Sequence, residues 1–253
     1  MSILENKRKY MRETKTLAMA QTIEITRLLK NRTIPEIAGE LRKTLPAVTQ
    51  SYGTVASVIS ATAYNESRAL ANLDTEYSAV TQKPKDSNTS LQAAIGFGIA
   101  QLTNTGDYGT FETNLAGSVS RLVLEFDKAT IDFNIVTDPD GTTYERVPSA
   151  NACGFCLTMA AVAEVQRSDY FEGYHNFCNC TLNPIFDGQE KTRLPFYDDV
   201  EKAYFEANRI LEAERQEVGW YSMKTREAAA AYPDLVLNTP NHLRIMRELD
   251  GYK

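Results

Sequence analysis

The sequence predicts an α+β fold that is mainly helical, and three observations support this class. Apolar residues recur at helical spacing through most of the first 133 residues, and an acidic helical pattern returns near residue 197. Between these stretches, short β-prone segments alternate with turn residues. Apolar residues make up 43% of the 253 residues and charged residues 24%, as in a globular protein with a buried core.

We therefore expect four regions in chain order. They are a helical N-terminal region with a basic arm (1–82), a helical connecting region (83–134), a small Cys/His domain with short strands (135–190) and a helical C-terminal tail (191–253).

Start and stop signals divide the N-terminal region into three expected helices. The first covers about residues 3–31. Thr33, with Glu36 three residues later, forms an approximate capping box that begins a short helix ending near residue 43. Pro46 then opens a longer helix that ends near residue 80. The polar segment 82–90 is the expected linker.

After the linker, two helices are expected over 91–102 and 110–133. Residues 134–137 and 142–148 are β-prone and flank Asp138-Pro-Asp-Gly141, a strong turn sequence, so we expect a hairpin there. An acidic helix is expected over 197–217 and a short amphipathic helix over 240–249.

Charge is unevenly distributed along the chain. The net charge is −6, but residues 1–43 hold ten basic and five acidic side chains. Five cations, which cannot all share one helix face, lie within nine positions: Lys7, Arg8, Lys9, Arg12 and Lys15. We expect a mobile arm that contacts DNA or an acidic protein surface, the alternative being a solvated helix face.

Several function classes have no support in the sequence. No apolar run approaches the roughly 18 residues of a transmembrane helix, and the N-terminus has no secretory-signal pattern, so we expect an intracellular protein without a membrane partner. Motifs for a P-loop, a dinucleotide fold or a serine-hydrolase elbow are absent from the sequence.

The four cysteines and one of the two histidines cluster within 28 residues. The candidate ligands are Cys153, Cys156, His175, Cys178 and Cys180. Pairs at C-x-x-C and H-x-x-C spacing suit tetrahedral zinc, because each short loop directs two ligands to one ion. A closed site needs only four ligands, so we expect the first three plus either Cys178 or Cys180. In an extended segment those last two share one face.

Three other interpretations of the cluster stay open. The cysteines form disulfides, they are buried thiols beside a core histidine, or a cysteine and His175 form a nucleophilic pair. A zinc-stabilised nucleic-acid-binding module is a further possibility, which rests on the basic arm alone.

The cluster and its flanks resemble a known family. The residues that carry the likeness are Tyr144-Glu-Arg-Val-Pro148, Ala152-Cys-Gly-Phe-Cys156 with Ala160, Tyr174-His-Asn-Phe-Cys178-Asn-Cys180 and Pro184-Ile-Phe186. This order resembles the Mu-F-like minor head proteins of tailed bacteriophages, and most closely their actinobacteriophage branch. The second element departs from the family, since Thr158-Met-Ala-Ala-Val162 stands where Met-Leu-Ala and then Ser-Arg-Gly are common.

The resemblance implies a virion protein of the head interior near the portal vertex, assembled in the host cytoplasm. It implies a role in head assembly and in DNA packaging or ejection, with the portal protein, the major capsid protein and packaged DNA as partners. Some relatives are labelled capsid maturation proteases, which makes a protease acting on the head shell the alternative. No catalytic residues are assigned, because the sequence contains no recognisable protease constellation.

Overall fold

The computed structural model describes residues 2–141, 143–148, 156–158, 160, 176–178, 180–190, 197–235, 241 and 244–246. The chain divides into two compact units. The first consists of Met1–Val147 with Val165–Lys191, and the second of Pro148–Glu164 with Thr192–Lys253. The described residues are mainly helical with one small sheet, which confirms the predicted α+β class.

Among its described residues, the first unit contains four long helices and a two-stranded antiparallel sheet. Its elements are α1 (Ile3–Leu29), α2 (Ile34–Leu70), α3 (Ser87–Thr105), α4 (Tyr108–Thr137), β1 (Thr143–Val147) and β2 (Thr181–Ile185). Helix α4 packs against α1, α2 and α3. Its buried residues include the consecutive runs 115–117 and 122–124, so the middle of α4 is buried on most of its sides.

Helix α2 replaces the two helices expected on either side of Pro46. The predicted capping box is present, with the Thr33 N–H donating to Glu36 Oε2 over 2.8 Å. Pro46 lies inside the helix instead of opening a new one. A proline in this position removes one backbone donor, and the buried residues on both sides of it, such as Leu45 and Val48, keep the helix continuous.

Helices α2 and α4 approach closely at Gly53. A Cβ atom on this residue would lie 2.5 Å from the ring of Phe126, a buried residue of α4. Glycine is therefore required here for the two helices to pack, because any larger residue would overlap the ring.

The expected extension of α2 to residue 80 is wrong. After Leu70 the chain becomes non-helical, and side chains of α4 satisfy its backbone. The Asn134 amide accepts from the Val80 N–H (2.8 Å) and donates to the Val80 carbonyl (2.9 Å), and Gln82 N–H donates to Thr130 Oγ1. These bonds replace the helical ones, so the segment lies extended along the bundle.

Arg68 fixes the C-terminal end of α2. Its guanidinium pairs with Asp138 at 2.9 Å and with Asp140 at 2.8 Å, and it donates to the Thr75 carbonyl. Tyr64 donates to Asp138 over 3.0 Å, and burial together with that carboxylate raises the pKa of Tyr64. This buried network joins the end of α2 to the turn after α4.

The hairpin expected over 134–148 is also wrong. Residues 134–137 belong to α4, and β1 pairs instead with β2, which follows the cysteines in sequence. The antiparallel register places Thr143 opposite Ile185 and Val147 opposite Thr181. The sheet therefore joins two segments separated by 33 residues, and local turn signals do not reveal such a pairing.

The second unit is built on α5 (Tyr197–Glu217), as predicted, followed by a 3-10 turn (Trp220–Ser222), α6 (Thr225–Ala231) and a second 3-10 turn (Pro233–Leu235). Its core includes Leu211, Trp220 and Met246. Arg215 stacks on Trp220 at 4.4 Å and donates to the Leu235 carbonyl. Most of the expected tail helix 240–249 lies outside the described residues.

Within the described part of the chain, no helix is both long enough and apolar enough to cross a lipid bilayer.

Candidate metal centre

Cys178 and Cys180 lie together immediately before β2. Their sulfur atoms are within 4.8 Å of each other, and each residue is 1% exposed. The backbone N–H of Cys180 donates to Cys178 Sγ over 3.4 Å. The two thiols therefore point to one place, as the alternation of an extended segment predicts.

Helix α4 holds the segment that leads into these cysteines. Asn176 accepts from Arg121 Nε at 3.3 Å and donates to Ser118 Oγ at 3.4 Å. The ring of Phe177 lies against Gly117, where a Cβ atom would come within 2.6 Å of it. Helix α4 thus holds the residues before Cys178 in two ways. Its side chains form hydrogen bonds with Asn176, and Gly117 leaves room for the ring of Phe177.

The backbone at Phe177 is unusual. Its φ is +63°, one of two positive values at non-glycine residues among the described positions. A bulky side chain in the left-handed region costs free energy, which surrounding contacts must offset. The contacts of Phe177 with Gly117 and of Asn176 with α4 supply that compensation, and they set the direction in which Cys178 leaves the turn.

Two lysines of α1 hold the backbone of the cysteine segment. Lys15 Nζ donates to the Cys178 carbonyl, and Lys7 Nζ donates to the Leu182 carbonyl over 2.6 Å. Both lysines are buried, at 4% and 3% exposure. They lie eight residues apart and so share one helix face. Helix α1 is consequently hydrogen-bonded to the backbone on both sides of Cys180.

The charge of Lys7 is balanced inside the first unit. Its Nζ lies 2.7 Å from Asp127 Oδ1, and both side chains are almost completely buried. Ser60 Oγ also donates to Asp127 Oδ1 over 2.5 Å. Because buried charges are costly unless paired, this arrangement commits Lys7 to the protein interior.

The expectation of a mobile basic arm is therefore wrong for α1. The helix begins at Ile3 with a capping box between Ser2 and Glu5, and it packs against α2 and α4. Lys7 and Lys15 face inward, while Lys9 and Arg12 are exposed. Sequence reasoning missed this division, although Lys7 and Lys15 fall on the same helical stripe as Met11 and Ala18, which are also buried.

The paired thiols fit a metal ion. Two thiolates bound to one zinc at about 2.3 Å lie roughly 3.8 Å apart in tetrahedral geometry, and the sulfur separation of Cys178 and Cys180 allows this. Burial and the N–H to sulfur bond also suit a thiolate ligand, because metal ligands are typically oriented by hydrogen bonds from their surroundings. The two cysteines are a candidate pair of metal ligands.

Of the other three predicted ligands, the structure describes only Cys156. Cys156 belongs to the second unit, where residues 156–158 are helical, and it is 1% exposed. Cys153 and His175 lie outside the described residues. No disulfide joins any two of the described cysteines, Cys156, Cys178 and Cys180.

Comparison with known proteins assigns the chain to a family. The family model described as VG15 protein matches residues 2–207, which include the four-helix region, both strands and the cysteine segment. No curated protein and no solved structure matches the chain. VG15 is a family of phage proteins. Because the match covers most of the sequence, the chain belongs to the VG15 protein family, and this membership supports a phage origin.

Proposed function

We propose that the protein is a minor capsid or head morphogenesis protein, located inside the phage head near the portal and acting in head assembly and in DNA packaging or ejection. Membership of the VG15 family supports a phage virion protein in general. The finer assignment rests on the likeness to Mu-F-like minor head proteins, and one structural observation carries it. The two ends of the resembling sequence, Tyr144–Pro148 and Pro184–Phe186, meet in the β1–β2 pairing.

This pairing places the two ends of the resembling motif side by side in one sheet. Tyr144 lies opposite Pro184, and Arg146 lies opposite Leu182. Phe186, which follows β2, packs edge-on against Tyr64 of α2 with ring centroids 5.4 Å apart. The two ends of the motif thus form one folded element anchored to the helices, which fits a binding scaffold whose partners are the portal protein and the major capsid protein.

The burial of the three thiols that the structure describes favours this role over the protease alternative. Cys156, Cys178 and Cys180 are each 1% exposed. A nucleophilic cysteine must reach a peptide bond of its substrate, and thiols this deeply buried do not meet that requirement.

The decisive experiment for the assignment is a reconstruction of the portal vertex without imposed capsid symmetry, combined with mass spectrometry of purified particles. We expect a few copies of this chain per head, in density that contacts the portal. Absence of the protein from mature particles, or its even distribution over the shell, would contradict the proposal.

Coexpression with the cognate major capsid protein tests the alternative directly. A scaffold leaves the capsid protein uncut. Cleavage that disappears in Cys153→Ala, Cys156→Ala, Cys178→Ala or Cys180→Ala would instead support a cysteine protease.

We further propose that the cysteine segment holds a structural zinc ion. Cys178 and Cys180 supply two sulfurs in a buried, hydrogen-bonded setting, and the sequence spacing nominates Cys153, Cys156 and His175 for the other positions. A closed site of this kind would stabilise a small domain without taking part in chemistry.

Metal analysis of protein purified under reducing conditions should find about one zinc per chain, and a chelator should lower the melting temperature. Cys178→Ser should release the metal. A folded protein without metal, indifferent to chelator, would contradict the zinc proposal and leave packed thiols as the explanation.

A further inference from the structure

Helix α3 has an apolar outer face that is open to solvent. Phe97, near the middle of the helix, is 68% exposed. Ala93 and Ala100 lie about one helical turn before and after it and are exposed as well. The opposite face, which includes Leu91 and Leu102, is buried, and α3 packs against α2 and α4. A ring as exposed as that of Phe97 adds little packing to the single chain.

Gly96 lies beside this ring, and the fold of the single chain does not require a glycine there. A Cβ atom on Gly96 would meet no atom of the described chain within 4 Å, and its φ is not positive. Gly98 of the same helix differs, because a Cβ atom there would come within 3.1 Å of the Phe111 ring. Glycine inside a helix is less stabilising than alanine. The close approach of a further helix would account for the glycine at position 96.

The sequence of α3 reads nearly the same in both directions from its midpoint. The residues at equal distances from the Gly96–Phe97 bond are identical at three successive steps, which are Ala93 with Ala100, Gln92 with Gln101 and Leu91 with Leu102. A two-fold axis through this bond therefore places each of them level with its own kind on a second, antiparallel α3. The contact surface of a two-fold dimer must be complementary to itself. The face of α3 meets this condition, because the ring of Phe97 comes level with the open space at Gly96.

Charge favours the same antiparallel pairing. Residues 87–105 contain no charged side chain, so two copies of a chain of net charge −6 can pack these helices together without placing like charges between them. Two lysines and one aspartate, all exposed, give the segment before α3 a net charge of +1: Lys83, Lys85 and Asp86. The exposed Asp107 gives the segment after α3 a charge of −1. Antiparallel pairing brings the basic end of one helix beside the acidic end of the other and also opposes the two helix dipoles.

We propose that the outer face of α3 binds a second copy of this chain and forms a two-fold symmetric dimer in which the two α3 helices are antiparallel. Phe97 of each copy packs over Gly96 of the other, and Ala93 of each copy lies level with Ala100 of the other. The small residues allow the two helix axes to come close together. Dimer formation removes both exposed rings from water.

Sedimentation velocity of the full chain under reducing conditions, over a wide range of concentration, tests the proposal. We expect a reversible equilibrium between monomer and dimer. Phe97→Ala should weaken dimer formation at least a hundredfold, because each dimer loses two buried rings. Its melting temperature should equal that of the parent at a concentration where both are monomeric.

Phe205→Ala is the matched control, because Phe205 is a similarly exposed phenylalanine, at 62%, in the second unit. It should dimerise as the parent does. A parent chain that stays monomeric up to millimolar concentration would overturn the proposal, and so would a dimer that Phe97→Ala leaves intact.

A pair of glycine variants tests the close approach of the helices. Gly96→Ala and Gly39→Ala each place a methyl group where the described chain leaves open space, so both should raise the melting temperature of the monomer. Only Gly96→Ala should weaken dimer formation, by at least tenfold, because its methyl group occupies the place of the incoming ring. Unchanged dimer affinity in Gly96→Ala would contradict this packing.

Cross-linking tests the symmetry. In a chain that carries Ala93→Cys together with Ala100→Cys, oxidation with copper phenanthroline should join position 93 of one copy to position 100 of the other, and peptide mass spectrometry locates the bond. Neither single variant should form a disulfide at the new position, because about 10 Å along the helix axis separates that position from its equivalent in the other copy. A disulfide between two equivalent positions in a single variant would indicate a different pairing and overturn the proposed dimer.

Discussion

Buried polar side chains stabilise the first unit, and Lys7 is the clearest case. Lys7→Met should lower the free energy of unfolding by about 3–5 kcal/mol, because the buried Asp127 loses the ammonium group 2.7 Å from its Oδ1. Lys7→Met combined with Asp127→Asn should recover part of this loss, since the uncompensated charge is then absent. Urea denaturation of the two single variants and the double variant measures the effect.

Lys9→Met is the matched control for Lys7, because Lys9 is exposed on the same helix. It should change the free energy of unfolding by less than about 0.5 kcal/mol. An equal loss in both variants would mean that the buried pair has no special role.

Gly53 makes a second prediction at the scale of single residues. Gly53→Ala should destabilise the protein by about 1–3 kcal/mol, because the new methyl group overlaps the buried ring of Phe126. Gly39→Ala in the same helix meets no atom within 4 Å. It should therefore raise stability by up to about 1 kcal/mol through helix propensity. Thermal denaturation that ranks the two variants in the opposite order would refute this account of the α2–α4 contact.

The ionisation of Asp132 should make the stability of the protein depend on pH. Burial raises the pKa of Asp132 above its usual 3.8, against the opposing effects of Lys128 and Tyr144. The stability that this carboxyl contributes is present below pH 3.8 and is lost as the pH rises through the higher folded-state pKa. Asp132→Asn does not titrate, so its stability relative to the parent should increase as the pH rises from about 4.

Asp107 should behave in the opposite way. Hydrogen bonds from Thr110 lower the pKa of Asp107 below 3.8, so its contribution is present above pH 3.8 and is lost as the pH falls. The advantage of the parent over Asp107→Asn should shrink on acidification. Parallel denaturation curves between pH 3 and pH 7 compare the two variants, and the same trend in both would contradict these assignments.

At the scale of elements, sequence patterns identified most helices but not how they join. The capping box at Thr33 and the acidic helix α5 follow from local signals, and both are present. Pro46 misled the prediction because tertiary packing on both sides of it outweighs the cost of one lost donor. The segment after Leu70 was mistaken for helix because its partners, above all Asn134, come from a distant part of the chain.

The strands and the candidate site show the same limit. The turn at 138–141 suggested a local hairpin, yet β1 pairs across a separation that only the tertiary fold determines. Alternation correctly placed Cys178 and Cys180 on one face. The anchors of that segment, Lys15 on α1 and Gly117 on α4, lie far away in sequence and could not be connected to it by spacing.

Helix α1 should therefore control access to the cysteines. Lys15→Met removes the donor to the Cys178 carbonyl, so the segment should open more often and its thiols should react faster. After a chelator has removed any bound metal, we expect a thiol reagent to label Cys178 and Cys180 at least tenfold faster in this variant than in the parent. Peptide mass spectrometry locates the labelled residues. Arg12→Met, on the exposed side of α1, is the control. Unchanged labelling in Lys15→Met would show that α1 does not hold this segment.

For the whole molecule, the charge imbalance acquires a different meaning once α1 is folded. Residues 1–43 carry a surplus of five positive charges, but Lys7 and Lys15 are used inside the first unit. The cations available to a partner on the first half of α1 include Lys9 and Arg12, which are exposed. The cations that stabilise the fold are therefore different from the exposed cations that we propose for contact with a partner, and substitutions can test the two sets separately.

This separation permits a test in assembled particles. Lys9→Gln combined with Arg12→Gln should leave the melting temperature unchanged, because both side chains are exposed. If the basic surface of α1 contacts packaged DNA or an acidic face of the portal, the double variant should enter heads less efficiently or yield particles that retain less DNA. The difference from the parent should be largest at low salt and should shrink as the salt concentration rises. Quantitative mass spectrometry of the particles measures incorporation, and their DNA content measures retention.

Lys43→Gln, which removes an exposed cation paired with Glu40 on α2, controls for a general loss of positive charge. Normal incorporation, DNA content and infectivity of the double variant would make the exposed cations a solvated helix face and nothing more.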